Sequence, residues 1–239
     1  MVSIFNSKEE ITPHAANIFV AASQNAIQKR GRFLVALTGG SSPVSIYKLL
    51  ATPQYKAKID WENVFVFWGD ERWVPLDDER SNAKMSFDYL LNHVGIPKSN
   101  LFPMYREGFA PEDYALEYEK LIKSFTGEQG QFDLILLGMG DDGHTASLFP
   151  GEAVLHENSK WVVAYYLQSQ SMYRITLTAP FINKAREVVV ITFGESKAYA
   201  LNEVLDGDYN PEKYPTQLIK PLDGKLLFLT DRAAINRQK

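Results

Sequence analysis

Three short stretches hold most of the side chains that could move a proton or grip an anion. In Asp142-Gly143-His144 a carboxylate and an imidazole stand two residues apart on a glycine-rich loop. An unperturbed imidazole titrates at about pH 6.5, which suits His144 to proton transfer near neutrality. In Trp68-Gly69-Asp70-Glu71-Arg72 two acids and an arginine follow an apolar run, with Asp77, Asp78, Arg80, Ser81 and Asn82 close behind. Arginine there offers bidentate recognition of phosphate or carboxylate. The alternative is a solvated charged turn, which is the expected fate of Glu79. In Thr38-Gly39-Gly40-Ser41-Ser42 paired glycines let backbone N–H groups approach an anion at a helix start, where the dipole favours negative charge. The same pair would also serve a tight turn that simply needs glycine. Arg174, at the head of RITLT, and Lys197, in GESKA, read alone as surface charges; with TGGSS they would complete a phosphate site.

Other chemistries find less support. TGGSS lacks the Lys-Ser/Thr pair of a Walker A loop. GMGDDG, residues 138–143, matches G-x-G-x-x-G in form. Pro150-Gly151 would stop any helix early, however, and the next apolar run ends without an acid, so a dinucleotide is not expected. Ser45-Ile46-Tyr47-Lys48 has S-x-x-K spacing without its companion motifs, and there is no G-x-S-x-G elbow. His14, His93 and His156 read as structural, and no His pair has metal-ligand spacing. The absence of cysteine from all 239 residues removes disulfides, thiolate nucleophiles and thiolate metal sites together.

An alternation of two hydrophobic periods must position these stretches. Residues 11–30 carry Ile11, Ala15, Ile18, Phe19, Ala22 and Ile27 at helical spacing and stop at Gly31, a suitable C-terminal cap. FLVALT (33–38) is apolar on both faces and predicts a buried strand. A helix follows, with Ser42 as N-cap and Pro43 at its first position. VFVFW (64–68), DLILLGM from Asp133, WVVAYYL, RITLTA, EVVVITF and KLLFLT predict further strands. Helices are expected over 82–92, 112–125, 196–205 and 231–236. This alternation predicts one α/β domain over 1–239 with a largely parallel sheet. In such sheets ligands bind beyond the carboxyl ends of the strands, and TGGSS, GDERWVP and GMGDDGHTASLFPG follow the first three.

Composition narrows the class. At 45% hydrophobic and 23% charged residues the chain is that of a globular protein, not a disordered one. Its net charge, 25 − 29 = −4, disfavours a general nucleic-acid partner and leaves room for a local basic pocket. No apolar run approaches the ~18–20 residues of a membrane span. MVSIFNSKEEITPH lacks the pattern of a signal peptide, so a cytoplasmic location and no membrane partner are expected. Oligomeric state stays open at this level.

Taken together these stretches resemble the 6-phosphogluconolactonase family, within the wider group that includes glucosamine-6-phosphate deaminases. The resemblance rests on TGGSSP (38–43), DERWVPLDDERSN (70–82) and GMGDDGHTASLFPG (138–151), then RITLT (174–178) and GESKA (194–198) in the same order. In the deaminases a Phe-Asn-Glu run follows the Asp-Gly-His segment, and its glutamate takes part in ring opening. Ser147-Leu148-Phe149 stands there in this chain, and Phe149 cannot transfer a proton. The resemblance implies hydrolysis of 6-phospho-D-glucono-1,5-lactone to 6-phosphogluconate in the oxidative pentose phosphate pathway. It implies no metal or organic cofactor, and an open, doubly wound, mostly parallel sheet with helices on both faces, Rossmann-like. A deaminase-like enzyme and a non-catalytic sugar-phosphate-binding protein are the alternatives.

Under the lactonase reading His144 takes a proton from the attacking water and returns it to the ring oxygen. Asp142 orients the imidazole or holds a sugar hydroxyl, with Asp70 a second candidate. N–H groups of the glycine loops are expected to stabilise the oxyanion, and Gly39, Gly40, Gly140 and Gly143 belong to the expected substrate-binding set. The phosphate is expected against Gly40, Ser41, Arg72, Arg174 and Lys197, and Asn82 joins the substrate-binding set.

Overall fold

The alternation expected from the sequence is realised in the computed structural model, which describes residues 1–235. The chain runs β1 (Val2–Phe5), α1 (Lys8–Arg30), β2 (Phe33–Leu37), α2 (Val44–Leu50), α3 (Pro53–Lys56), β3 (Val64–Trp68), β4 (Asp70–Arg72) and α4 (Asn82–Tyr89). It continues through α5 (Pro111–Thr126), β5 (Leu134–Gly138), β6 (Val162–Leu167), β7 (Met172–Leu177) and α6 (Ala179–Ile182). The last elements are β8 (Glu187–Ile191), α7 (Ala198–Asp206), β9 (Lys225–Asp231) and α8 (Arg232–Ile235). Asn236, the end of the last predicted helix, lies outside the described residues.

Six strands form one parallel sheet in the order β1-β9-β8-β5-β2-β3. All of β2, and residues 134–137 and 188–191 of β5 and β8, are buried, which is why these runs are apolar on both faces. α1 ends at Gly31 in the left-handed region (φ +72°), where glycine carries no Cβ penalty. β2 leads outward to β3, whereas β5 leads the other way to β8. The connections therefore diverge between β2 and β5, and right-handed connections running in opposite directions cover opposite faces of the sheet. A crevice opens beyond the carboxyl ends at such a switch point.

Not every predicted strand joins this sheet. WVVAYYL and RITLT become β6 and β7, which pair antiparallel and, with β4, make a second sheet in the order β4-β7-β6. Gly69 passes the chain from one sheet to the other. Its N–H donates to the Leu37 carbonyl at 2.8 Å, and its own carbonyl accepts from Leu177 N–H at 2.9 Å. A single hydrophobic cluster runs beneath both sheets, from Leu37 and Leu136 to Ile175 and Leu177.

Smaller differences have local causes. Pro43 already has helical dihedrals (φ −84°, ψ −9°) and occupies the N-cap position of α2, so Ser42 is not the cap. α4 stops at Tyr89 because Leu90 leaves the helical region (φ −138°), and a short 3-10 turn follows over Leu91–His93. β1 escapes the sequence reading because it is a four-residue edge strand that is only half buried. The S-x-x-K residues serve packing. Ser45 Oγ meets Thr12 Oγ1 at 2.9 Å, and Lys48 Nζ lies 4.7 Å from the Tyr89 ring centroid.

Candidate active site

A cleft opens at the switch point, lined by residues 38–42 and 138–140 with Asp70, Arg72, Asn82, His144, Ala146 and Lys197. The loop after β5 carries Asp142 and His144 side by side. His144 Nδ1 lies 2.6 Å from Asp142 Oδ1, and the same oxygen accepts the His144 backbone N–H at 3.1 Å. With Nδ1–H assigned as the donor, Nε2 has no partner among the described residues. Burial raises the Asp142 carboxyl, but the hydrogen bond and charge of His144 outweigh it and hold the group below its ordinary range. Phe149 stacks on the imidazole, with ring centroids 4.1 Å apart and planes 25° from parallel. Gly140 makes room for the pair, since a Cβ there would sit 2.1 Å from His144 Nδ1 and 2.6 Å from Asp142 Oδ1.

Two of the expected donors are already used inside this loop. Gly140 N–H donates to the His144 carbonyl at 2.8 Å and Gly143 N–H to the Gly140 carbonyl at 3.1 Å. Gly143 does not line the cleft. Its part is conformational: φ is +80°, and a Cβ would meet Tyr214 at 3.1 Å. Gly140 and Gly143 therefore shape the loop and do not supply the oxyanion donors anticipated from the sequence. The N–H groups of Gly39, Gly40 and Ser41, by contrast, have no acceptor among the described residues. Tyr47 fixes the start of that loop, its hydroxyl accepting from Thr38 N–H at 3.1 Å and donating to Thr38 O at 2.8 Å.

The second sheet supplies the charged wall. Asp70 pairs with Thr176, and Arg72 stands directly opposite Arg174. Strand alternation places Asp70, Arg72 and Arg174 on one face. Asp70 is 6% exposed and is held by Ser147 Oγ at 2.7 Å and Asn82 Nδ2 at 3.2 Å. Arg72 Nη1 donates to the Arg80 carbonyl at 2.7 Å, and Arg174 Nη2 to Gln170 Oε1. The Nε atoms of both arginines are buried without a partner among the described residues. Like charges opposed across strands repel, so two guanidiniums with unused donors suit an anion between them. Burial holds the Arg174 guanidinium below its ordinary range; Asp70 acts against that shift and Arg72 adds to it. Arg174 does not itself line the cleft. It lies with its guanidinium carbon 5.6 Å from the Phe149 centroid.

Three further side chains complete the picture. Asn82 Oδ1 is buried and unpaired at the cleft, and Gly39 makes room for that amide, since a Cβ there would fall 1.8 Å from Asn82 Oδ1. Lys197 reaches the cleft already paired with the exposed Asp141, Nζ to Oδ1 at 2.5 Å, an oxygen that Ser196 Oγ also bonds at 3.1 Å. Glu71 lies fully buried on the other face of β4. Burial pushes its carboxyl up to about 7, against the pull of the Asn82, Ala83 and Arg72 N–H groups, with the Asp70 charge adding to the rise. Glu79 is 88% exposed, as a solvated turn requires. Sequence reasoning gave no site role to Glu71, Asp141 or Ser147. Phe149 was expected only as a departure from the deaminase pattern, not as the surface beneath the base. Among the described residues no group of three or more His, Cys, Asp or Glu could hold a metal ion, and no helix is long and apolar enough to cross a membrane.

The fold and cleft define an α/β protein whose switch-point crevice sets a carboxylate-paired imidazole beside a cationic wall. Residues 6–228 match the family described as glucosamine-6-phosphate isomerases/6-phosphogluconolactonase, and the chain belongs to that family. A 6-phosphogluconolactonase of Synechocystis sp. is 38% identical over 237 residues, covering 98% of this chain and 96% of the relative. A solved structure of 6-phosphogluconolactonase from Trypanosoma cruzi superposes with a TM-score of 0.85 at 28% identity, covering 98% of this chain and 94% of that one. A monomeric glucosamine-6-phosphate deaminase superposes with a TM-score of 0.82 at 23% identity, covering 98% of each chain. Both branches therefore share the fold, and the site must choose between them.

Proposed function

We propose that this chain is a 6-phosphogluconolactonase, a single domain over 1–239 that hydrolyses 6-phospho-D-glucono-1,5-lactone to 6-phosphogluconate. The observation that carries the reading is the Asp142–His144 pair at a cleft that Arg72 also lines, with Arg174 directly opposite Arg72 across the strand pair. Phe149 beneath the base, where a deaminase of this family would place glutamate, favours hydrolysis over deamination. Sequence similarity to lactonases over nearly the whole chain supports the same choice. A cytoplasmic location stays part of the proposal.

A δ-lactone is an activated ester, so water can attack C1 without a covalent enzyme intermediate. Asp142 fixes the tautomer with Nδ1–H toward its carboxylate and leaves Nε2 to take the proton of the attacking water. Collapse of the tetrahedral intermediate breaks the bond from C1 to the ring oxygen, which takes that proton back from Nε2. Of the two carboxylates, Asp142 is the orienting partner. Asp70, bound to Ser147 and Asn82, is placed to hold a sugar hydroxyl. The N–H groups of Gly39, Gly40 and Ser41 are the donors for the anionic parts of the substrate. Arg72 and Arg174 anchor the phosphate, and Lys197 joins them by exchanging Asp141 for it.

Hydrolysis of freshly generated lactone, coupled to 6-phosphogluconate dehydrogenase and corrected for spontaneous opening, tests the reading. Acceleration by the protein is expected. Ammonia release from glucosamine 6-phosphate would instead make it a deaminase, and tight binding of 6-phosphogluconate without turnover a sensor.

A further inference from the structure

Glu71 stands between two cleft residues, yet it points away from the cleft. Asp70 and Arg72 lie on one face of β4 and Glu71 on the other, where it is fully buried. Both of its oxygens are occupied. Oε1 accepts the N–H of Arg72 at 2.8 Å and of Asn82 at 2.6 Å, and Oε2 accepts the N–H of Ala83 at 2.7 Å and the Ser81 hydroxyl at 3.0 Å. These partners fill the ~4 lone-pair sites of an ionised carboxylate.

Capping alone does not account for this carboxylate. Asn82 and Ala83 open α4, where helix N–H groups lack partners inside the helix. Ser81 already caps α4 by accepting Lys84 N–H at 3.0 Å, and burying a charge is costly where a hydroxyl suffices. What Glu71 adds is a tie between β4 and the residue that faces the substrate. Asn82, held by its N–H, turns its Nδ2 to the Asp70 carbonyl at 2.9 Å and leaves Oδ1 buried without a partner at the edge of the cleft.

We infer that Glu71 is a positioning residue of the active site, fixing Asn82 and the backbone of Arg72 against Asp70 so that the polar wall is set before substrate arrives. Its kinetic test rests on the lactonase reading; its binding test does not. Glu71→Gln keeps the shape but turns one oxygen into an NH2 that must face at least one backbone N–H. The variant is expected to raise KM about tenfold while kcat changes less than about threefold. The loss should not add to that of Asn82→Ala, so that the double variant keeps the KM of Asn82→Ala within about twofold. A wild-type KM in Glu71→Gln, or additive losses, would overturn the inference. Should that variant not fold, Ser81→Ala removes one of the donors: KM is expected to rise about threefold, and an unchanged KM overturns the inference. Calorimetry with inorganic phosphate separates the two claims. If the wild-type protein leaves the lactone untouched, the lactonase reading fails. The inference then stands on a roughly tenfold weaker phosphate affinity in Glu71→Gln, and falls if the affinity is unchanged.

Discussion

The two walls of the cleft are made in different ways. The base wall is a loop at the end of the parallel sheet, with His144 27% and Asp142 48% exposed and their bond closed between residues two apart. The charged wall rests on a buried antiparallel pair, where Asp70 and Arg174 are at most 6% exposed and the pairing itself, with the Asp70–Ser147 bond, joins distant parts of the chain. Proton transfer needs a group that water can reach, whereas a phosphate grip gains strength from dry surroundings. Damage to the loop should therefore cost turnover and spare the fold, while damage to the strand wall should cost both binding and stability.

The sharpest break in that contrast comes from Gly140→Ala. A Cβ 2.1 Å from His144 Nδ1 must displace the pair, and misplacement by about 1 Å costs about 10²-fold in turnover. The melting temperature should stay near wild type, and a large fall in it would erase the distinction between the walls. Arg174→Ala is expected to raise KM about tenfold or more and to lower the melting temperature, because Gln170 and Asp70 lose a buried cation. If KM and melting both stayed unchanged, the phosphate assignment would be wrong. Asp141→Asn, on the exposed rim, should free Lys197 and lower KM by about twofold to fivefold; a rise in KM would mean that Asp141 holds the lysine in place for the phosphate.

The smallest effect is one of pH. The Glu71 carboxyl is raised from 4.5 to about 7 in the folded chain. Its favourable share of stability is thus full below the unfolded pKa and is lost as pH rises through the folded one. Glu71→Gln does not titrate there. The melting advantage of wild type over this variant should therefore shrink between about pH 5 and about pH 8. An advantage unchanged over that range would place the folded-state pKa at or below 4.5.

The same contrast explains what could be seen in the sequence. β2, β5 and β8 are apolar on both faces, so burial itself spells them out, and the ends of such strands direct attention to TGGSS and GMGDDGH. The hydrogen-bonded Asp142–His144 pair is local and was legible as Asp142-Gly143-His144. β4 was not, because Asp70–Arg72 is a three-residue strand of charges that reads as a turn. Its pairing with β7 joins residues about a hundred positions apart, so the opposition of Arg72 and Arg174 has no signature in spacing. Nor can spacing reveal that loop hydrogen bonds consume the Gly140 and Gly143 N–H groups while those of Gly39 and Gly40 stay open.

In the proposed mechanism His144 moves the proton while the opposite wall holds the substrate. That mechanism is tested most directly by measuring lactone turnover and 6-phosphogluconate affinity on the same preparation of His144→Ala. Turnover above the spontaneous rate should fall by ~10²–10⁴-fold, with product affinity within about threefold of wild type. Near-wild-type turnover in that variant would contradict the account and remove His144 from the chemistry.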